Sequence, residues 1–137
     1  MPKESALSDA LTHVRVRDCM NPGTLTCGAD DSLQDVAAIM ANHRVHAVVI
    51  TTANADRPAG VVSDLDVVAA VASGADCSAH QAAATEALTI SADEPLRDAA
   101  QLMSEHGVSH LVVVDSSGGS PVGVLSTLDI ATAYANS

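Results

Sequence analysis

The chain is 137 residues long, room for one ordinary domain or two small units sharing a core, and too short for two independent enzymatic domains. Hydrophobic residues make up 47% of it, yet Phe and Trp are absent and Tyr134 is the only aromatic, so Val, Ile, Leu, Met and Ala are expected to fill the interior. Seventeen acidic residues against six basic ones set a formal charge of −11, which opposes the counterion release that drives binding to nucleic acids and speaks against anionic membranes.

In chain order, residues 1–15 read as an N-terminal segment. No apolar run in the sequence reaches the roughly 20 residues that cross a bilayer, and MPKESALSDALTH lacks the apolar stretch of a signal peptide, so a soluble, cytoplasmic protein is expected. VRDCM reads as a short helix ended by Asn21 and Pro22, and LTC as a short strand. Leu33, Val36, Ala37 and Met40 follow the spacing of a helix buried on one face, with Asp30 or Asp31 placed to cap it. HAVVI is a buried strand by its length and β-branched content, TTANADRPA a loop, GVVS a second strand, and DLDVVAAVA the start of a helix. SGADCSAHQ reads as a polar linker and AAATEA as a short helical stretch.

The same order then returns. LTI is a strand, Leu96, Ala99, Ala100 and Met103 form a helical stripe, and Asp93 or Glu94 stands ahead of Pro95 in its first turn. HLVVV, the loop DSSGGSP, the strand GVLS and a helix starting TLDIATAYA complete it. Shifting the chain by 63 residues superposes Leu25 on Leu88, Asp35 on Asp98, Met40 on Met103, Gly60 on Gly123, Ser63 on Ser126 and Asp66 on Asp129, with no gap from Leu25 to Ala72. Two copies are too few for a solenoid, so a pseudo-twofold pair of β-α-β-β-α units is expected. The repeats are set at 16–74 and 83–137, with 75–82 as the linker.

SDLD and STLD are the repeated motifs whose chemistry admits two readings. One reading is structural: serine at a helix N-cap with an acid three positions on is close to a capping box. The other is a ligand site, because a glycine-bearing strand lets a ligand approach the backbone and the helix start presents N–H groups and the Ser63 or Ser126 hydroxyl to a phosphate. Asp66 or Asp129, one turn on, then accepts hydrogen bonds from ribose hydroxyls.

The unit order, the VRDCMNP lead-in, the GVSHLVVVD strand and the repeated G-h-h-S-x-x-D together resemble a tandem CBS-domain pair, the Bateman module, over about Val16 to Ala135. The resemblance implies a mixed α/β fold in which two copies pack about a pseudo-twofold axis, with two clefts that commonly take AMP, ADP, ATP, S-adenosylmethionine or relatives. It also implies that Asp66 and Asp129 hold ribose and that Ser63 and Ser126 face phosphate. Thr24, Leu25 and Thr26 in one copy, with Ala87, Leu88 and Thr89 in the other, would line the adenine pocket beside the strand starts at His46, Ala47 and His110. A regulatory module is implied that commonly forms a homodimer and signals ligand occupancy to a regulated partner. Val49 and Val112 depart from the family's proline, and Thr51 and Thr52 stand where the first copy would close on aspartate, which bears on ligand preference.

The copies differ after the serine, where Asp64 faces Thr127; a carboxylate there would repel phosphate, so the second copy is expected to accept one better unless Asp64 points to solvent. Five arginines and Lys3 are the only basic residues, which favours AMP or an adenosyl ligand of low net charge over ATP. His43 and His106 are placed for helix-end roles, while His46 and His110 could contact base or phosphate. Cys19, Cys27 and Cys77 form no CxxC and read as reduced thiols, and no HExxH supports a metal. Without a GxSxG, a P-loop or a paired acid/base constellation, no enzyme and no catalytic cofactor are expected. The rival reading is a ligand-free dimerisation or interaction module.

Overall fold

The computed structural model describes residues 11–52, 57–83, 87–117 and 119–137. In chain order it contains α1 (Val16–Cys19), β1 (Asn21–Pro22), β2 (Thr26–Cys27), α2 (Leu33–His43), β3 (Ala47–Thr51), β4 (Pro58–Ser63), α3 (Asp64–Ser73), α4 (Ala79–Ala82), β5 (Thr89–Ser91), α5 (Leu96–His106), β6 (His110–Val114), β7 (Pro121–Ser126) and α6 (Thr127–Ala135). The β-α-β-β-α order read from the repeat is therefore present twice. The expected loop at TTANADRPA and the helical reading of AAATEA fall partly outside the described residues. The linker is not wholly irregular: its end forms α4, closed by a capping box between Ser78 and Gln81.

One unit is Thr24–Leu88. Its sheet runs β2-β3-β4, with β2 parallel and β4 antiparallel to β3. The parallel step needs a crossover, which α2 supplies. The α2 stripe is buried at Leu33, Val36 and Met40, meeting Val48, Ile50 and Val62 from the strands and Cys27, Ala70 and Ala79. The cap differs from the sequence reading, since Ser32 accepts from the Asp35 N–H while Asp31 accepts from the Gly28 N–H and closes the preceding turn.

The other unit joins residues 11–23 to Thr89–Ser137. Its sheet order is β1-β7-β6-β5, again with one parallel pair, β5 and β6. Leu96, Ala99 and Met103 of α5 are buried, as are Leu111, Val113 and Leu125 from its strands. Where the first unit has Val36, Val48 and Val62, this one has Ala99, Leu111 and Leu125, all within 1% of full burial. A smaller helix residue under larger strand residues keeps the interior filled, as close packing demands. Pro95 occupies the N-cap of α5 and leaves it without a side-chain cap, so neither Asp93 nor Glu94 fills that role. Asp93 instead pairs with Arg17 and accepts from the Ser116 hydroxyl.

The sequence announces the lead-in helix but not where it docks. Backbone bonds from Val16 N to Glu94 O and from Leu96 N to Val14 O strap it beside α5. Val16 is fully buried, and β1 pairs antiparallel with β7, setting Pro22 opposite Gly123. A Cβ at Gly123 would lie 2.5 Å from the Asn21 carbonyl oxygen. The chain's own backbone therefore requires glycine here, a reason that the sequence reading did not include. A Cβ at Gly60 would meet Ile50 Cδ1 at 3.3 Å and Ala83 Cβ at 3.9 Å, also the chain's own atoms.

Candidate functional site

Each repeated motif sits where a strand ends and a helix begins. In the first unit Ala47 pairs with Ser63 across β3 and β4, and the β2 register continued backward brings Thr24 beside Ala47. Leu25 holds this end in place by accepting from the Val49 N–H at 3.0 Å. In the second unit His110 pairs with Ser126 in the same way across β6 and β7. Ala87 and Leu88, both half-buried, lead into β5, where Thr89 is exposed, as is Thr26 in β2.

The capping boxes are complete in both copies. Ser63 Oγ accepts from the Asp66 N–H at 3.3 Å, and Asp66 Oδ2 accepts from the Ser63 N–H at 2.8 Å. Ser126 and Asp129 repeat this at 3.2 and 2.8 Å. Both aspartates are half-buried, and each gives the backbone one oxygen. Since a carboxylate offers about four lone-pair sites, Oδ1 of each remains able to accept from a hydroxyl, and the capping role does not consume the ligand role.

The helix starts are less generous donors than the sequence suggests. Of the first three N–H groups of α3, that of Asp64 goes to the His46 carbonyl and that of Asp66 to Ser63 Oγ, leaving Leu65 N–H without a partner among the described residues. In α6 the Thr127 N–H goes to the Ser109 carbonyl and the Asp129 N–H to Ser126, leaving Leu128 N–H. An anion would therefore meet one amide and one serine hydroxyl in each copy, a set suited to a single phosphate.

Three polar features complete the site. Thr24 Oγ1 is a buried hydroxyl with no hydrogen-bond partner among the described residues, found at the edge of the row formed by Ala47 and Ser63. Such groups are rare in proteins because leaving them unpaired costs about 1–3 kcal/mol. His46 Nδ1 lies 2.9 Å from Asp64 Oδ2, so Asp64 engages a neighbour rather than standing alone in solvent. In the second copy Ser109 Oγ lies 3.0 Å from His110 Nδ1. His106, expected at a helix end, places Nδ1 3.0 Å from the Leu102 carbonyl.

One residue escaped the sequence reading. Burial pushes the Cys19 thiol up, and the carboxylates of Asp18 and Asp129 push it further, which sets α1 near the acid of the second motif. Nothing in the spacing of residues 19 and 129 signals this. Cys27 is driven to about 11 by burial and by Asp31, so it is a core residue and not a nucleophile. Among the described residues no group of three or more His, Cys, Asp or Glu side chains is placed to hold a metal ion. None of the described helices is long and apolar enough to cross a membrane.

The family model for the CBS domain matches residues 16–73 and again 81–136. The chain belongs to the CBS-domain family. As a member with two CBS domains, it is 27% identical over 119 residues to the CBS domain-containing protein YhcV of Bacillus subtilis, covering 85% of this chain and 82% of that one. It is 33% identical over 122 residues to a homoserine O-acetyltransferase of Methanohalophilus mahii, covering 88% of this chain but only 24% of that protein. Among solved structures, a CBS domain protein from Pyrobaculum aerophilum complexed with AMP is 30% identical with a TM-score of 0.77, over 90% of this chain and all of that one. A CBS domain pair solved with 5'-methylthioadenosine and S-adenosyl-L-methionine shares the fold at a TM-score of 0.80 and 22% identity, over 90% of this chain and 97% of that one. Hypoxic Response Protein I, solved with two coordinated zinc ions, is 28% identical with a TM-score of 0.71, over 87% of this chain and 98% of that one.

Proposed function

We propose that this CBS pair is a regulatory module that binds an adenosyl ligand, an AMP-like nucleotide or a relative of S-adenosylmethionine, and signals its occupancy to a partner protein. The observation that supports this is the doubly built capping box, in which Asp66 and Asp129 each give one oxygen to the backbone, so that the other could accept from a ribose hydroxyl. Ser63 or Ser126 with one helix amide would meet a phosphate, and Thr24 to Thr26, Ala87 to Thr89 and the strand starts at His46, Ala47 and His110 would meet the base. The AMP bound by the 30%-identical protein supports this class of ligand. With one amide and one hydroxyl per helix start, a monophosphate or an uncharged 5'-group fits better than a triphosphate.

The module is proposed to act as a homodimer. All the exposed large hydrophobics among the described residues lie on α3 and α6: Leu65, Val68, Val71, Leu128 and Tyr134. Leu65 and Leu128 occupy equivalent repeat positions, as do Val71 and Tyr134, so one surface is offered twice and suits a self-complementary contact. On a chain of charge −11, apolar side chains such as these are where two copies repel least.

A second reading, the ligand-free interaction module, draws on the completeness of both boxes without any ligand. Thermal unfolding against AMP, ADP, ATP, S-adenosylmethionine and methylthioadenosine separates the two. A binder at 100 times its Kd adds about 2.7 kcal/mol, a rise of roughly 5–10 °C. Asp66→Ala and Asp129→Ala lower the melting temperature alone by losing a cap, so the ligand-induced increment is the readout. An increment that survives both substitutions refutes the ribose role, and no increment with any compound leaves the interaction module.

A further inference from the structure

The two helix starts are built from different chemistry. At the positions where the first repeat carries His46 and Asp64, the second carries Ser109 and Thr127. His46 and Asp64 make their contact at 2.9 Å, with both side chains more than half exposed. Beside a carboxylate, Nδ1 carries the proton and donates to Asp64. This helix start thus presents two carboxylates (Asp64 and Asp66) as acceptors, against one serine hydroxyl and one amide. The second keeps a single carboxylate, Asp129, and adds the Thr127 hydroxyl, which can donate, while the Ser109 hydroxyl lies 3.0 Å from His110 Nδ1. No Lys or Arg lies on α3 or α6 to offset the difference.

Resting on the adenosyl reading above, we propose that the His46–Asp64 pair makes the two sites unlike in ligand charge. The first repeat selects an adenosyl group whose 5'-substituent is uncharged or cationic, and the second accepts the phosphorylated one. Donor-bearing groups, such as an ammonium or a hydroxyl, match the acceptors at the first site. A phosphate, which is itself an acceptor, matches the hydroxyls at the second. His46 and Asp64 act as specificity determinants, and the module reads two adenosyl species at once.

The test exchanges the pairs and measures AMP and adenosine binding by calorimetry on the full chain. His46→Ser with Asp64→Thr should raise AMP affinity at the first site roughly fivefold, the effect of about 1 kcal/mol between charges near 4 Å in water. Adenosine affinity should not rise, because it carries no phosphate to be relieved of repulsion and its 5'-hydroxyl loses acceptors. Ser109→His with Thr127→Asp should weaken AMP at the second site by a similar factor. All four positions are on the surface or half-buried, and circular dichroism checks that each variant is folded. An AMP-to-adenosine affinity ratio unchanged in both variants overturns the charge selection while leaving the adenosyl reading intact. If the unaltered protein binds neither compound, the adenosyl reading fails and takes this one with it.

Discussion

Arg44 shows how far a single residue departs from its repeat partner. It ends α2 in the left-handed conformation at φ 54°, where the equivalent Gly107 ends α5 at φ 63°. A side chain in that region costs about 1–2 kcal/mol, from which the extra chain entropy of a glycine, about 0.5–1 kcal/mol, must be subtracted. Arg44→Gly should therefore stabilise the protein by roughly 0.5 kcal/mol, read from the urea midpoint at constant m-value. A midpoint that falls would show that the arginine's interaction with the helix end outweighs its backbone strain. The motif acids teach a different lesson at this scale. Their spacing alone allowed a cap or a ligand contact, and the geometry shows the cap, made through one carboxylate oxygen of each.

Elements were legible in proportion to how local their causes are. The stripe at Leu33, Val36 and Met40 and the runs HAVVI and HLVVV announced α2, β3 and β6, because burial periodicity is written within one element. Strand β1 could not be read, since Asn21 and Pro22 have no strand propensity and exist as a strand only through β7. The His46 to Asp64 contact was hidden for the same reason: it depends on the β3 to β4 register. Gly123 allows that argument to be checked. Gly123→Ala drives a methyl into the Asn21 carbonyl and should cost about 1–3 kcal/mol, whereas Gly60→Ala, whose nearest neighbour is a side-chain methyl at 3.3 Å, should cost less. Equal urea midpoints for the two variants would mean that β1 yields without penalty.

For the whole molecule, composition forecast an aliphatic interior, and every buried residue among those described is hydrophobic apart from glycine. What it could not forecast is where apolar surface remains. Placing a charge on both repeated faces, with Leu65→Asp and Leu128→Asp, should convert the proposed dimer to a monomer in sedimentation equilibrium; a dimer that persists moves the contact elsewhere. The lead-in carries one more consequence. Asn21 finds Val124 only after an entire unit, Thr24–Leu88, has been synthesised between them. Closing so long a stretch is entropically slow unless the intervening chain has already condensed. During translation, then, the lead-in is made before the unit that follows it and is stitched to β7 only after that unit exists.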